Sequence, residues 1–216
     1  MPASPWVVIM MRRLRRLGDA DYLGCLIAYH ASPTLAGMAP ANLLRLAARE
    51  RLPAWRENRD RIRRELGIQL AELTPVPDPL LLCYRPGLVR RALEDAGARQ
   101  LLAEADYPVA GFNLSAMIER LGEKCRSGRF PHEVGLFLGY PPSEVRRFMR
   151  FGGAGAGPTG GWKAYGDPET ARRFFLDCRA VKDGTARLLG VGFGFPEVAD
   201  RLGRRAGYPC FQPRSA

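Results

Sequence analysis

The hydrophobic pattern of this 216-residue chain is built on short apolar runs, each closed by a proline and followed by residues at helical spacing. Four such units stand out: Leu23–His30 before Ser32-Pro33, Leu80–Arg85 before Pro86, Gly135–Tyr140 before Pro141-Pro142, and Trp162–Gly166 before Asp167-Pro168. Short apolar runs bounded by turn residues read as strands. A proline fits the first turn of a helix, where its missing N–H would have had no partner. The pattern therefore predicts strand, tight turn and helix, repeated. Ile68–Leu73 reads as a further strand, and the proline-rich turn at 74–79 makes it an antiparallel partner of Leu80–Arg85. Helical spacing covers Pro40–Arg49, Pro53–Leu66, Leu88–Ala96, Arg99–Ala105, Leu114–Cys125 and Glu169–Asp177. It also covers parts of Arg179–Arg205, broken by the glycines at 190–194. The expected fold is a single α/β domain over 21–205, with a mixed, mostly parallel sheet of about five strands and helices on both faces. Residues 1–20 read as an N-terminal extension and 206–216 as a tail.

Composition narrows the setting. With 46% hydrophobic residues the chain can bury a core without cross-links. Five cysteines, Cys25, Cys83, Cys125, Cys178 and Cys210, stand singly, as free thiols in a reducing cytoplasm would. Cys25 and Cys83 sit among apolar neighbours and are expected to be buried in strands. The run Trp6–Met11 is far shorter than the roughly 20 residues of a membrane span, and its arginines follow it rather than precede it. It reads as a leading strand or helical turn, or as sequence ahead of a start at Met10 or Met11, and no membrane contact is expected.

The net charge of +11 raises the question of nucleic acid. Arginine supplies 30 of the 33 basic residues and is spread along the chain, apart from clusters at 12–16, 56–64 and 201–205. A basic, solvated surface is the preferred reading, and nucleic acid the lesser one. The frame Pro-x-x-(Val/Ala)-Arg-Arg recurs at Pro86–Arg91, Pro142–Arg147 and Pro168–Arg173. Three similar helices exposing paired arginines account for it, and an anion site at the helix N-termini is the sharper alternative.

Three stretches carry a resemblance. Tyr29-His-Ala-Ser-Pro-Thr-Leu-Ala-Gly37 continuing to Pro40-Ala41, Phe130-Pro-His-Glu-Val-Gly-Leu-Phe-Leu-Gly-Tyr-Pro141, and Gly161-Trp-Lys-Ala-Tyr-Gly-Asp167 resemble the signatures of the domain-of-unknown-function family 3793. The resemblance spans Asp21 to about Leu189. It implies a bacterial family frequent in anaerobes, and it implies no activity. The chain departs from the pattern at Ala39, where lysine is usual, and in its arginine pairs.

Candidate chemistry follows the ends of the expected strands, where open α/β sheets gather ligands and helix N-termini favour anions. His30, Ser32, Thr34, Arg85 and Tyr140 fall there. His132 is a candidate base because imidazole titrates near neutrality, with Glu133 beside it. Lys163 and Tyr165 share a face if their stretch is extended, as an anion- or proton-handling pair. The catalytic candidates are thus His30, His132, Lys163 and Tyr165, and the binding candidates Ser32, Thr34, Arg85, Glu133 and Tyr140. Capping and core hydrogen bonding are the plain alternatives for most of them. The glycine-rich 152–161 runs from helix into strand, the wrong polarity for a phosphate loop. No zinc, C-x-x-C or triad spacing appears, and no cofactor or metal is indicated. The expected function is binding, with or without turnover, of a small anionic metabolite or cofactor at the strand–helix turns. The alternative is a non-enzymatic regulatory or interaction protein whose basic surface meets nucleic acid or an acidic protein such as a flavodoxin.

Overall fold

The computed structural model describes residues 4–46, 51–75, 77, 79–128, 130–152 and 168–204. Of these, 66% are helical and 9% lie in strands, so the α/β expectation is wrong: the sheet has three strands, all antiparallel. In chain order the elements are α1 (Pro5–Leu14), α2 (Asp19–His30), α3 (Ser32–Leu35), β1 (Ala41–Arg45), α4 (Leu52–Leu66), β2 (Gln69–Thr74) and β3 (Leu80–Tyr84). They continue with α5 (Pro86–Glu94), α6 (Ala96–Glu104), α7 (Leu114–Arg126), α8 (Val134–Phe137), α9 (Pro142–Phe151), α10 (Pro168–Gly190) and α11 (Phe195–Gly203).

The sheet order is β1-β3-β2, with Leu82 of β3 opposite Leu43 on one side and Ala71 on the other. Successive side chains of a strand point to opposite faces, and β3 uses this to feed two cores. Leu81 and Cys83 enter a core made with α1–α4, α10 and α11, whereas Leu80 and Leu82 enter one made with α5–α9. A strand covered on both faces needs an unbroken apolar run, which is why Leu-Leu-Leu-Cys is legible as a strand.

Two of the other expected strands are helical. Leu23–His30 is the last two thirds of α2, whose Leu23, Gly24, Cys25, Ile27 and Ala28 are all buried. A helix enclosed on nearly every side is apolar all round and loses its 3.6-residue signature. Gly24 is part of that enclosure: a Cβ there would lie 2.5 Å from the Phe195 ring. Gly135–Tyr140 contains the single helical turn α8 and the bend after it. Conversely, Pro40–Arg49, rich in helix formers, supplies β1, because pairing with β3 outweighs intrinsic propensity. Trp162–Gly166 lies outside the described residues.

The proline rule for helix starts holds at α4, α5, α9 and α11. Asn113 caps α7 by accepting from Ser115 and Ala116 N–H, and Asp95 caps α6 by accepting from Ala98 N–H. At the α10 C-terminus, Arg13 donates to the carbonyls of Leu189, Gly192 and Phe193 at 2.7–3.1 Å, fastening α1 to α10. Cys25, Cys83, Cys125 and Cys178 are free thiols, and Cys25 is buried in helix α2 rather than in a strand. Among the described residues no helix is long and apolar enough to cross a membrane.

Candidate functional site

The first and second signature stretches meet. Gly139, at φ +88°, turns against Pro40, and a Cβ on it would stand 2.6 Å from the proline Cδ. This contact joins the two cores at the β1 edge of the sheet, since 29–39 packs into one and 134–137 into the other.

Around this junction most of the polar signature side chains turn inward and are satisfied. Ser32 is fully buried and its hydroxyl donates to the Tyr29 carbonyl at 2.9 Å. Thr34, also buried, donates to Asn42 Oδ1 at 2.7 Å, tying α3 to β1. Arg85, which follows β3, donates through Nε to the Thr34 carbonyl at 2.7 Å and through an Nη to the Leu35 carbonyl at 2.6 Å. These contacts close the last turn of α3. The three residues build the junction with these hydrogen bonds.

His30 and Tyr140 remain, and both face α10. Desolvation, followed by the positive charge of Lys182, holds the His30 imidazole below its ordinary value. Its ring makes an edge contact with Tyr29, at 5.1 Å between centroids. Burial raises the Tyr29 hydroxyl, and Asp183 on the same helix adds to this. Burial likewise raises Tyr140, with Cys178 contributing. The Cys178 thiol is itself pushed up to about 11 by burial, against a smaller opposing pull from Lys182. Cys178 and Lys182 are four residues apart and so share one face of α10. Thus α10 draws together His30 and Tyr29 from the first signature and Tyr140 from the second. Sequence reading missed Cys178, Lys182 and Asp183, whose only signal is their spacing on an unremarkable amphipathic helix.

The remaining candidates lie elsewhere. His132 is exposed and stands edge-on to Phe148, 5.0 Å between centroids. Glu133, its neighbour, is buried: Lys124 Nζ pairs with Glu133 Oε1 at 2.8 Å, and the Tyr107 hydroxyl donates to the same oxygen at 3.4 Å. Burial and the Glu133 charge together drive the Tyr107 hydroxyl far above its usual range. An open pocket of about 660 Å3 lies between α6, α7 and the 106–109 loop, lined by Asp106, Tyr107, Glu119, Arg120 and Glu123 among others. Tyr107 alone links it to the second signature. Lys163 and Tyr165 lie outside the described residues. Among the described residues no cluster of His, Cys, Asp and Glu has the makings of a metal site.

Fold and site together define a mostly helical protein in which two cores flank a small antiparallel sheet and signature residues collect on one long helix. A family model described as "Protein of unknown function (DUF3793)" matches residues 27–198, four-fifths of the chain, and the chain belongs to that family. No curated protein and no solved structure matches it.

Proposed function

We propose that this protein binds a small anionic metabolite or cofactor where His30 and Lys182 meet on α10. The observation behind this reading is that α2 packs on α10, and the half-buried His30 imidazole there lies within electrostatic reach of the half-buried Lys182 ammonium. Two groups that would both be cationic repel each other, and in the free protein His30 responds by staying neutral. An anion between them would offset the Lys182 charge and let His30 take up a proton. Binding would therefore strengthen as the pH falls toward 6.5, the ordinary imidazole value, and through it. The family match begins at residue 27 and so contains both groups. The unpaired thiols support a cytoplasmic setting.

The test is calorimetric titration with phosphate, pyrophosphate, nucleotides and di- and tricarboxylates, at a pH above and a pH below neutrality. His30→Ala and Lys182→Ala should each abolish binding while leaving the thermal midpoint within a few degrees of the parent. Anion binding that survives both substitutions overturns the reading.

A second reading is favoured by α9, where Arg150 lies over the Phe151 ring at 5.3 Å and Phe151 and Met149 are 48% and 42% exposed. An arginine beside an exposed aromatic suits single-stranded nucleic acid. On that reading the chain is a regulatory or interaction protein, and Phe151→Ala, not Lys182→Ala, would remove oligonucleotide binding.

A further inference from the structure

Three arginine clusters are legible in the sequence, and the fold treats them differently. On α4, Arg59 pairs with Glu72, Arg61 with Asp21 and Glu65, and Arg63 with Asp60, so much of the charge of that helix is answered within the chain. On α11, Arg204 pairs with Asp200 and Arg201 covers the Phe193 ring. On and just after α1, Arg13 is spent on the α10 carbonyls. Arg12, Arg15 and Arg16 are exposed and make no ion pair among the described residues. Residues 4–18 contain no acidic side chain.

Helical geometry places these arginines together. At 100° per residue, positions 8, 9 and 12 fall on one side of α1, opposite the buried Met10 and Leu14, and Arg15 and Arg16 follow in the exposed turn that ends the helix. That side carries Val8 and Ile9, 47% and 43% exposed, near its start and the arginines near its end. Gly190 of α10 packs beside Ile9, and the next residue, Val191, is 58% exposed. An aliphatic tip and a basic patch thus lie on one surface, about 10 Å apart along the helix axis.

We propose that this surface is a docking site for an anionic lipid bilayer. In that arrangement Val8, Ile9 and Val191 enter the headgroup–acyl boundary while Arg12, Arg15 and Arg16 pair with lipid phosphates. The aliphatic side chains offer no ring for a base to stack on, which disfavours nucleic acid. Three small side chains fall well short of the roughly 800 Å2 per partner of a stable protein interface, whereas a fluid lipid surface needs no shape match. Apart from Val191, the face lies before residue 27, and it shares no side chain with the His30–Lys182 site. It also revises the expectation of no membrane contact, which rested on the absence of a span.

The test is flotation of the full chain with phosphatidylcholine vesicles, with and without phosphatidylglycerol. Two variants accompany it: Arg12→Gln/Arg15→Gln/Arg16→Gln, and Val8→Ser/Ile9→Ser, each checked by circular dichroism and thermal midpoint. The parent should float only with the anionic vesicles and should be released by salt. The triple variant should bind about 100-fold more weakly, from the usual contribution of each basic residue near such a surface. The double variant should lose roughly 10-fold. Equal flotation with neutral vesicles, or unchanged binding in both folded variants, overturns the proposal. So does a dimer that the Val8→Ser/Ile9→Ser change dissociates, or oligonucleotide binding through the same arginines by a chain that ignores vesicles.

Discussion

Replacing Gly139 by alanine tests the junction on which the site depends. Two costs add. An L-residue held at φ +88° pays about 1–2 kcal/mol for its left-handed conformation. The new methyl would also sit 2.6–2.7 Å from Pro40 Cδ and Cγ, inside contact distance. A rigid ring cannot swing aside, so overpacking adds roughly 1–3 kcal/mol. The internal control is Gly67, the C-terminal residue after α4, which has φ +65° but nothing within 4 Å of a built Cβ. Gly67→Ala should carry only the conformational part, so the difference between the two variants isolates the clash. In urea, with a slope of about 2 kcal/mol per molar, that difference amounts to a midpoint lower by roughly 0.5–1.5 M. Pro40→Ala should recover part of it in a double-mutant cycle. If Gly139→Ala unfolds at the same urea concentration as Gly67→Ala, the two signature stretches are not in contact as described.

Two further outcomes follow from the buried groups. Lys124→Met strands the Glu133 carboxylate, which is only 5% exposed, and should cost about 3 kcal/mol in chemical denaturation, whereas Lys124→Met combined with Glu133→Leu should recover most of it; a harmless single substitution would show the pair to be solvated. Cys83 is raised by burial from 9.0 to about 12, so its contribution to stability is intact below pH 9 and is lost as the pH climbs from 9 toward 12. At pH 10 the loss is on the order of 1 kcal/mol, which Cys83→Ala should remove from the pH dependence of unfolding, and an identical alkaline profile in that variant would refute the assignment.

What the sequence discloses is set by how local each signal is. The β2–β3 hairpin, α4, α7 and the break between α10 and α11 rest on nearby cues: a proline-rich turn, a polar cap, an amphipathic stripe and a glycine cluster. Helix α2 is illegible because its neighbours, not its residues, decide its state: α4, α10 and α11 wrap it, and the run Leu23–Ala28 would suit a buried strand equally well. β1 is illegible for the opposite reason, since Ala, Leu and Arg favour helix until β3 offers its edge. The strand–proline–helix pattern misled in two of its four places because a proline marks the start of a helix and carries no information about what precedes it. At the site, His30 and Tyr140 were visible as unusual polar residues in apolar stretches. Their meeting ground on α10 was not, because Cys178 and Lys182 acquire meaning only once α2 and the 139–140 bend are laid against them.

The charge clusters carry the same lesson. Spacing alone does not separate 56–64 from 12–16, yet among the described residues Arg59, Arg61 and Arg63 are ion-paired and Arg12, Arg15 and Arg16 are not. Part of that pairing is local, with Glu65 and Asp60, and part comes from Asp21 and Glu72, which arrive from α2 and β2 and belong to no linear motif.

The most direct test of the central claim is the titration of His30 by NMR, in the parent and in Lys182→Ala, with and without pyrophosphate as the probe anion. The chain has two histidines, and a His132→Ala variant assigns the His30 resonance. The account expects His30 to titrate below 6.5 in the free parent, to move upward when Lys182 is removed, and to move upward with pyrophosphate only while Lys182 is present. A His30 that titrates at or above 6.5 and ignores both the substitution and the anion would contradict it.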